Sequence, residues 1–481
     1  MTTTPLWGAP SAPLDPPASL LVGRPADAAV LGACAVAAIG ADLALRSGVA
    51  GLAGAAVPAA VCAALIATRR FPNPQARALL VLAPTVTAFL GLRTSEAALL
   101  PDLLVAAGLV AVAAGLARGG SLFDLTFPGL AGRLALTTTH GLLGPAFVLR
   151  PLARVASVGP RWWALARGLA IGIPVVAALT ALLASADAVF ASLLSLPDVG
   201  DLALHVVLLG FGACVAAAVL RSASARTADL PLGPVPALGR LEARIVLGGL
   251  CGVYAAFAAT QLAVAAGGAD RILSDEGLTY AEYARSGFFQ LLAAAGLTAV
   301  VLLCVRACGP RGDGVATALV LVAVTLTEVA VALAVHRLSL YEDAYGLTLL
   351  RLAAMAGAVW IGGVFVLIGT AVAGLGAGRS WLPGAVGATA LVGLLAWNLA
   401  DPAALVARRH IDRVEVDAPY LAGLGDDAVP SIAARLDGLD PSVRADLIER
   451  VCAAAPEPRQ GPLEWNLAST RARDARRTMG C

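Results

Sequence analysis

The chain contains no lysine; all 34 of its positive charges are arginines. Schiff-base chemistry and a phosphate-loop lysine are excluded, and no G-x-x-x-x-G-K-[ST] loop occurs. Charge of either sign is scarce. Charged residues make up 14% of the sequence, against roughly 25% in soluble domains, so lipid must supply much of the solvent. A net charge of +2 gives nucleic acid nothing to bind. Histidine is also rare. His140, His205, His336 and His410 are the four, none stands in H-E-x-x-H, and no G-x-S-x-G is present. His205, at the start of an apolar run, reads as a packed core histidine.

The eight cysteines suggest no framework. Cys34, Cys62, Cys214, Cys251 and Cys304 lie inside apolar runs, where a thiol behaves as a small hydrophobe. Cys304 and Cys308 share a helix face but lack the clustered partners that zinc requires. No metal, cofactor, nucleotide or nucleic acid is expected.

What is abundant is apolar: 59% of residues are hydrophobic and the mean hydropathy is +0.82. Residues 1–25 form a flexible, proline-rich tail. Apolar runs then fall near 27–45, 49–67, 77–92, 97–117, 165–185, 202–220, 244–266, 286–306, 315–335, 348–373 and 382–400. Each approaches the ~20 residues that cross a ~30 Å hydrocarbon core. The fold expected is all-α: a polytopic transmembrane bundle of about eleven spans over 26–400. Residues 134–149, interrupted by His140, Gly141, Gly144 and Pro145, read as interfacial or re-entrant. From 401 to 481 the composition is that of a small helical extramembrane tail. Asp401-Pro402 and Asp440-Pro441 are helix starts, and Val443, Leu447 and Val451 give one helix an apolar stripe. After that helix the chain reads as loosely ordered, apart from a helix near 465–477.

Arginines gather in alternate loops (Arg69, Arg70 and Arg77; Arg118 to Arg161; Arg221 to Arg244; Arg306 and Arg311; Arg379). The positive-inside rule makes these cytoplasmic. The N-terminus is then cytoplasmic and the C-terminal tail external, in a multi-pass protein of the cell membrane. Arg408, Arg409 and Arg413, just past the last run, oppose that placement of the tail.

The external loops carry acids and tyrosines. Glu276, Tyr280, Glu282, Tyr283 and Arg285 precede one apolar run, and Tyr341, Glu342, Asp343 and Tyr345 precede another that holds Arg351. One reading is an external pocket or relay. The other is a clamp, with tyrosines at the interface and carboxylates tying Arg351. Glu328, mid-span, and His336, two turns later, are the candidate intramembrane ionisable pair, since a charge there is costly unless it serves a function. Asp42, Asp102, Gln261 and Asn398 are weaker candidates.

Several motifs carry a resemblance. L-T-Y-A-E-Y-A-R-x-G-F-F-Q-L at 278–291, L-Y-E-D-A-Y-G-L-T-x-x-R at 340–351, S-A-D-A-V-F at 185–190 and A-W-N-L-A-D-P at 396–402 are four of them. In the tail, Asp417, Tyr420, Leu421, Leu424 to Pro430, Trp465 and Asn466 continue the pattern. Over roughly 160–480 the chain resembles the bacterial multi-pass membrane proteins of domain of unknown function 4153/4173. The resemblance implies an envelope location and transfers no catalytic residue. The function expected is a non-enzymatic envelope scaffold or sensor whose partners are the lipid bilayer and, through the tail, an envelope protein. A proton- or ion-coupled transporter and a membrane enzyme acting on lipid or glycan at the outer leaflet are the alternatives.

Overall fold

The computed structural model describes residues 26–148, 199–224, 238–263, 288–309, 312–374, 380–412, 416–456 and 461–481, with isolated positions between 168 and 183. Among them there are helices and no strands. In the bundle these are α1 (Ala28–Arg46), α2 (Leu52–Ala67), α3 (Pro74–Thr87, extended by a 3-10 turn at Ala88–Gly91), α4 (Glu96–Leu116), α5 (Phe127–Leu142) and α6 (Val199–Ser224). They continue with α7 (Arg240–Ala263), α8 (Phe288–Cys308), α9 (Gly314–Tyr345), α10 (Leu349–Val372) and α11 (Leu382–Ala400). Eight of the described helices (α1, α4 and α6–α11) are long and apolar enough to cross a membrane, against the eleven or so expected. The difference lies in α2 and α3, only 16 and 14 residues long, and in 165–185, most of which is outside the described residues.

Polar residues start these helices. The Asp27 carboxylate accepts from Val30 N, Asn73 from Gln75 N, Asp313 from Val315 N, and the Thr348 hydroxyl from Arg351 N. Gly346, at φ +83, ends α9 where a residue with a Cβ would be strained. α9 has 32 residues, so it is about 48 Å long and projects beyond a ~30 Å core.

The apolar faces form two cores. One joins α1–α4 with α6 and the other joins α7–α11. Within the first, α6 crosses α1 at Gly212, where an added Cβ would lie 2.2 Å from the carbonyl oxygen of Ala37. Two helix backbones can approach that closely only over a glycine.

At one end of the bundle arginines saturate helix termini. Arg70 donates to Ser224 Oγ at 3.1 Å and to Asp27 at 2.7 Å. Arg118 donates to Ala223 O, Arg133 to the carbonyls of Gly115 and Gly119, and Arg244 to Asp313. Near this end α5 and the residues after it pack along the last turns of α6. Thr137 contacts Ser222, Gly144 lies against Ala217 and Ala218, and the Phe147 ring sits 6.0 Å from the Arg221 guanidinium.

The tail folds at the opposite end. Its helices are α12 (Pro402–Ile411), α13 (Ala418–Ala422), α14 (Val429–Ala433), α15 (Pro441–Ala453) and α16 (Leu467–Met479). Val406, Leu421, Ile432 and Leu447 form its core, which Leu347 of the α9–α10 loop joins. The helix expected near 465–477 is α16, which runs to Met479 and packs on α14 and α15. One expectation is corrected here. The cysteines do supply one link: Cys452 and Cys481 form a disulfide with Cα atoms 5.5 Å apart, tying the end of α15 to the end of the chain.

Candidate functional site

The densest polar network among the described residues lies where the tail meets the bundle, around the loop between α3 and α4. Arg93 reaches from that loop to the end of α11. Its Nε and Nη2 donate to the carbonyl of Asn398 at 3.2 and 3.0 Å, and Nη1 pairs with Asp401. The last carbonyls of a helix lack intrahelical donors, and a guanidinium there supplies both hydrogen bonds and favourable charge. Asp401 adopts a left-handed backbone (φ +53), which Asp tolerates better than most residues. From there its other oxygen accepts from Ala404 N and starts α12.

Asp427, on the tail, reaches the same loop. Its Oδ2 accepts from Thr94 N (2.8 Å), Thr94 Oγ (3.0 Å) and Ser95 N (2.7 Å), and Arg93 Nη1 lies 3.8 Å from its Oδ1. The carboxylate therefore covers the N-terminus of α4 from another part of the chain, where backbone N–H groups favour an anion. Burial holds its pKa above the usual carboxylate range, and the Thr94 and Ser95 donors oppose that shift. The adjacent Asp426 binds Arg476 of α16 at 2.9 Å.

Asn466 completes the junction. Its amide donates to the carbonyls of Leu90 and Arg93, both at 3.0 Å, while its oxygen accepts from Ala468 N at the start of α16. Beside it, Leu52 N donates to Trp465 O at 2.8 Å. On the far side of the tail the Tyr420 hydroxyl accepts from Leu349 N at 3.0 Å. The tail is thus fastened to the loops at 47–51, 91–95 and 346–348. One turn inside the bundle, Asn398 Nδ2 donates to Asp102 Oδ1 at 2.7 Å, and both residues have no exposure at all.

The residues expected to form an external cluster are only partly placed. Glu276, Tyr280, Glu282, Tyr283 and Arg285 lie outside the described residues. The other half is at the C-terminal end of α9 and the start of α10. The Tyr341 and Tyr345 rings are 4.8 Å apart, the Arg351 guanidinium lies 4.2 Å from the Tyr341 ring, and Arg351 donates to the Gly346 carbonyl. Arg351 is therefore held by a ring face and a carbonyl, and among the described residues neither Glu342 nor Asp343 is its ion-pair partner. It stands in the first turn of α10.

Glu328 and His336 do not meet. Glu328 faces α10, where Oε2 would lie 3.2 Å from a Cβ added at Gly362, and its Oε1 is buried without a hydrogen-bond partner among the described residues. His336 is exposed on the surface of α9. His205, read as a core residue, instead holds Asp42 Oδ1 through Nδ1 at 2.7 Å, with its side chain 38% exposed. Sequence reading overlooked Arg93. The signal available was its position, an arginine in a loop of the arginine-poor side. That loop sits opposite Asn398, Asp401, Asp427 and Asn466, four short polar residues in otherwise apolar surroundings.

The model of one protein family, described as Domain of unknown function (DUF4153), matches residues 78–434. The match begins well before 160 and ends before 480, the bounds expected for the resemblance; it takes in most of α3, α4 and the Arg93 loop and leaves out α15, α16 and Asn466. No curated protein and no solved structure matches the chain.

Proposed function

The chain belongs to the DUF4153 family of integral membrane proteins, and from that premise we propose a non-enzymatic envelope component, a scaffold or sensor that presents its C-terminal tail outside the cell. The observation that carries this reading is the convergence of Asn398, Asp401, Asp427 and Asn466 on one loop of the bundle. The polar residues of this junction bind one another and fix a folded cap at a set position on the membrane surface. Rigid presentation of a surface is what a scaffold needs.

Two observations support the orientation, with the arginine-rich end in the cytoplasm and the tail outside. The arginines at the far end follow the positive-inside rule. The Cys452–Cys481 disulfide suits an oxidising compartment. Arg408 and Arg409 oppose an external tail on charge alone.

A second reading, a proton- or ion-coupled carrier, draws support from the unpaired buried oxygen of Glu328. A carboxylate inside a bundle is costly unless it is neutral or serves a function. Glu328 lies against Gly362 in a helix contact, and it does not line the cavity of about 590 Å³ at the arginine-rich end.

The two readings separate experimentally. A photo-crosslinking residue at Leu463 or Trp465, both exposed on the tail, is expected to give one discrete adduct with another envelope protein in cells. Asp427→Ala should weaken that adduct. In proteoliposomes the proton flux should equal that of Glu328→Gln. A flux that disappears with Glu328→Gln, together with no discrete adduct, would overturn the scaffold reading in favour of the carrier.

A further inference from the structure

A cavity of about 670 Å³ opens on the side of the bundle between α10 and α11 and ends against α12. Its walls are apolar: Val359 and Trp360 on α10, Val392, Gly393 and Trp397 on α11, and Leu405 on α12. Val359 and Val392 are 62% and 65% exposed, so the opening faces the region that lipid fills. At its deep end Trp360 Nε1 donates to Thr389 Oγ at 3.3 Å. From Thr389 to Ala400 the cavity follows eleven residue steps of α11, about 16 Å at 1.5 Å per residue. That is the depth of one leaflet of a ~30 Å hydrocarbon core.

The Trp397 ring lines the tail end of this groove, one turn before Asp401 ends the span. Beyond it, Arg408 and Arg409 follow Leu405 by three and four residues on α12 and so share its face. Ala404, Val406, Ala407 and His410 occupy the buried face of that helix. Arg408 and Arg409 have no ion-pair partner among the described residues.

We propose that this groove binds an anionic glycerophospholipid from the leaflet on the tail side. One acyl chain lies between α10 and α11 against the Trp397 ring, and the headgroup phosphate sits on Arg408 and Arg409. The groove supplies shape and apolar area, and the arginines supply selectivity for negative charge. This also accounts for arginines that otherwise run against the charge asymmetry of the loops.

The test uses the full-length protein in detergent, titrated with phosphatidylglycerol or phosphatidylcholine of identical chains and read by native mass spectrometry. The expected result is one tightly held phosphatidylglycerol, retained at least ~10-fold better than phosphatidylcholine. Gly393→Leu, whose side chain would grow into open space, should reduce that retention about 10-fold. Arg408→Gln with Arg409→Gln should make the two lipids equal without abolishing binding. A second measurement uses phosphatidylglycerol brominated on its chains, which should quench tryptophan fluorescence in the native protein and quench it less in Trp397→Phe. Equal retention of both lipids by the native protein would overturn the proposal, leaving only annular lipid. So would unchanged retention in Gly393→Leu, or unchanged quenching in Trp397→Phe.

Discussion

Asp427 of the tail accepts three hydrogen bonds from Thr94 and Ser95 of the bundle, across 332 and 333 residues of sequence. It joins the C-terminal tail to the first turn of α4, a membrane-spanning helix. Asp427→Ala leaves those donors unpaired at a partly buried site, which costs roughly 1–2 kcal/mol. Hydrogen exchange over 416–456 and 461–481 should accelerate accordingly, while α1 and α6 keep their protection.

The same carboxylate fixes a pH dependence. Burial raises its pKa in the folded protein above the unfolded value of about 3.9. Folding therefore takes up a proton as pH falls through the folded pKa, and the junction gains stability from there down to about 3.9. Asp27, at the other end, has the opposite sign: the Val30 N–H first, then Arg70, hold its pKa below the usual value. Its contribution is present above about pH 3.9 and is lost as pH falls through its lower folded pKa. The melting temperature of the native protein, measured against that of Asp427→Asn, should therefore rise between neutral pH and pH 4. Parallel curves would contradict the assignment.

Asp102 and Asn398 should be coupled. Removing Asn398 alone leaves the Asp102 carboxyl buried without its donor, so Asn398→Leu should cost more than the double variant Asp102→Leu/Asn398→Leu predicts by addition. A coupling of about 1 kcal/mol is expected from hydrogen bonds within membranes. A double-mutant cycle read by thermal unfolding in detergent measures it.

The Cys452–Cys481 bridge spans a sequence separation of 29 residues. Closing a loop of that length is worth roughly 3–4 kcal/mol in the chain-entropy account. Cys452→Ser, or reduction of the native protein, should therefore loosen α15 and α16 against proteolysis and leave the bundle intact.

The contact of α1 with α6 should tolerate no side chain at Gly212, where a Cβ would lie 2.2 Å from Ala37 O and 2.7 Å from Ala41 Cβ. Gly212→Ala is expected to cost about 1–3 kcal/mol and to reduce the yield of folded protein. Gly252, with nothing within 4 Å of an added Cβ, should accept the same change without loss.

Much of the helical plan was legible in the apolar runs, because burial in lipid imposes its pattern on every residue of a span. The starts of α12 and α15 followed from Asp401-Pro402 and Asp440-Pro441. The junction was not legible. Its partners come from positions as far apart as Arg93 and Asn466, and nothing local in either stretch names the other. Arg351 illustrates a second limit. An arginine near two acids suggests an ion pair, but the turn at Gly346 brought a carbonyl and the Tyr341 ring to it instead. The disulfide escaped notice for a third reason. Cys452 and Cys481 lie outside the apolar runs with no spacing signature, and only the return of α16 onto α15 brings them together.

The central claim is that the loops at 47–51, 91–95 and 346–348 and the whole tail form one external cap. Paired reporters fused after Cys481, alkaline phosphatase in one strain and green fluorescent protein in another, test it most directly. The account predicts active phosphatase and no fluorescence. Bright fluorescence with silent phosphatase would place the cap in the cytoplasm and contradict it.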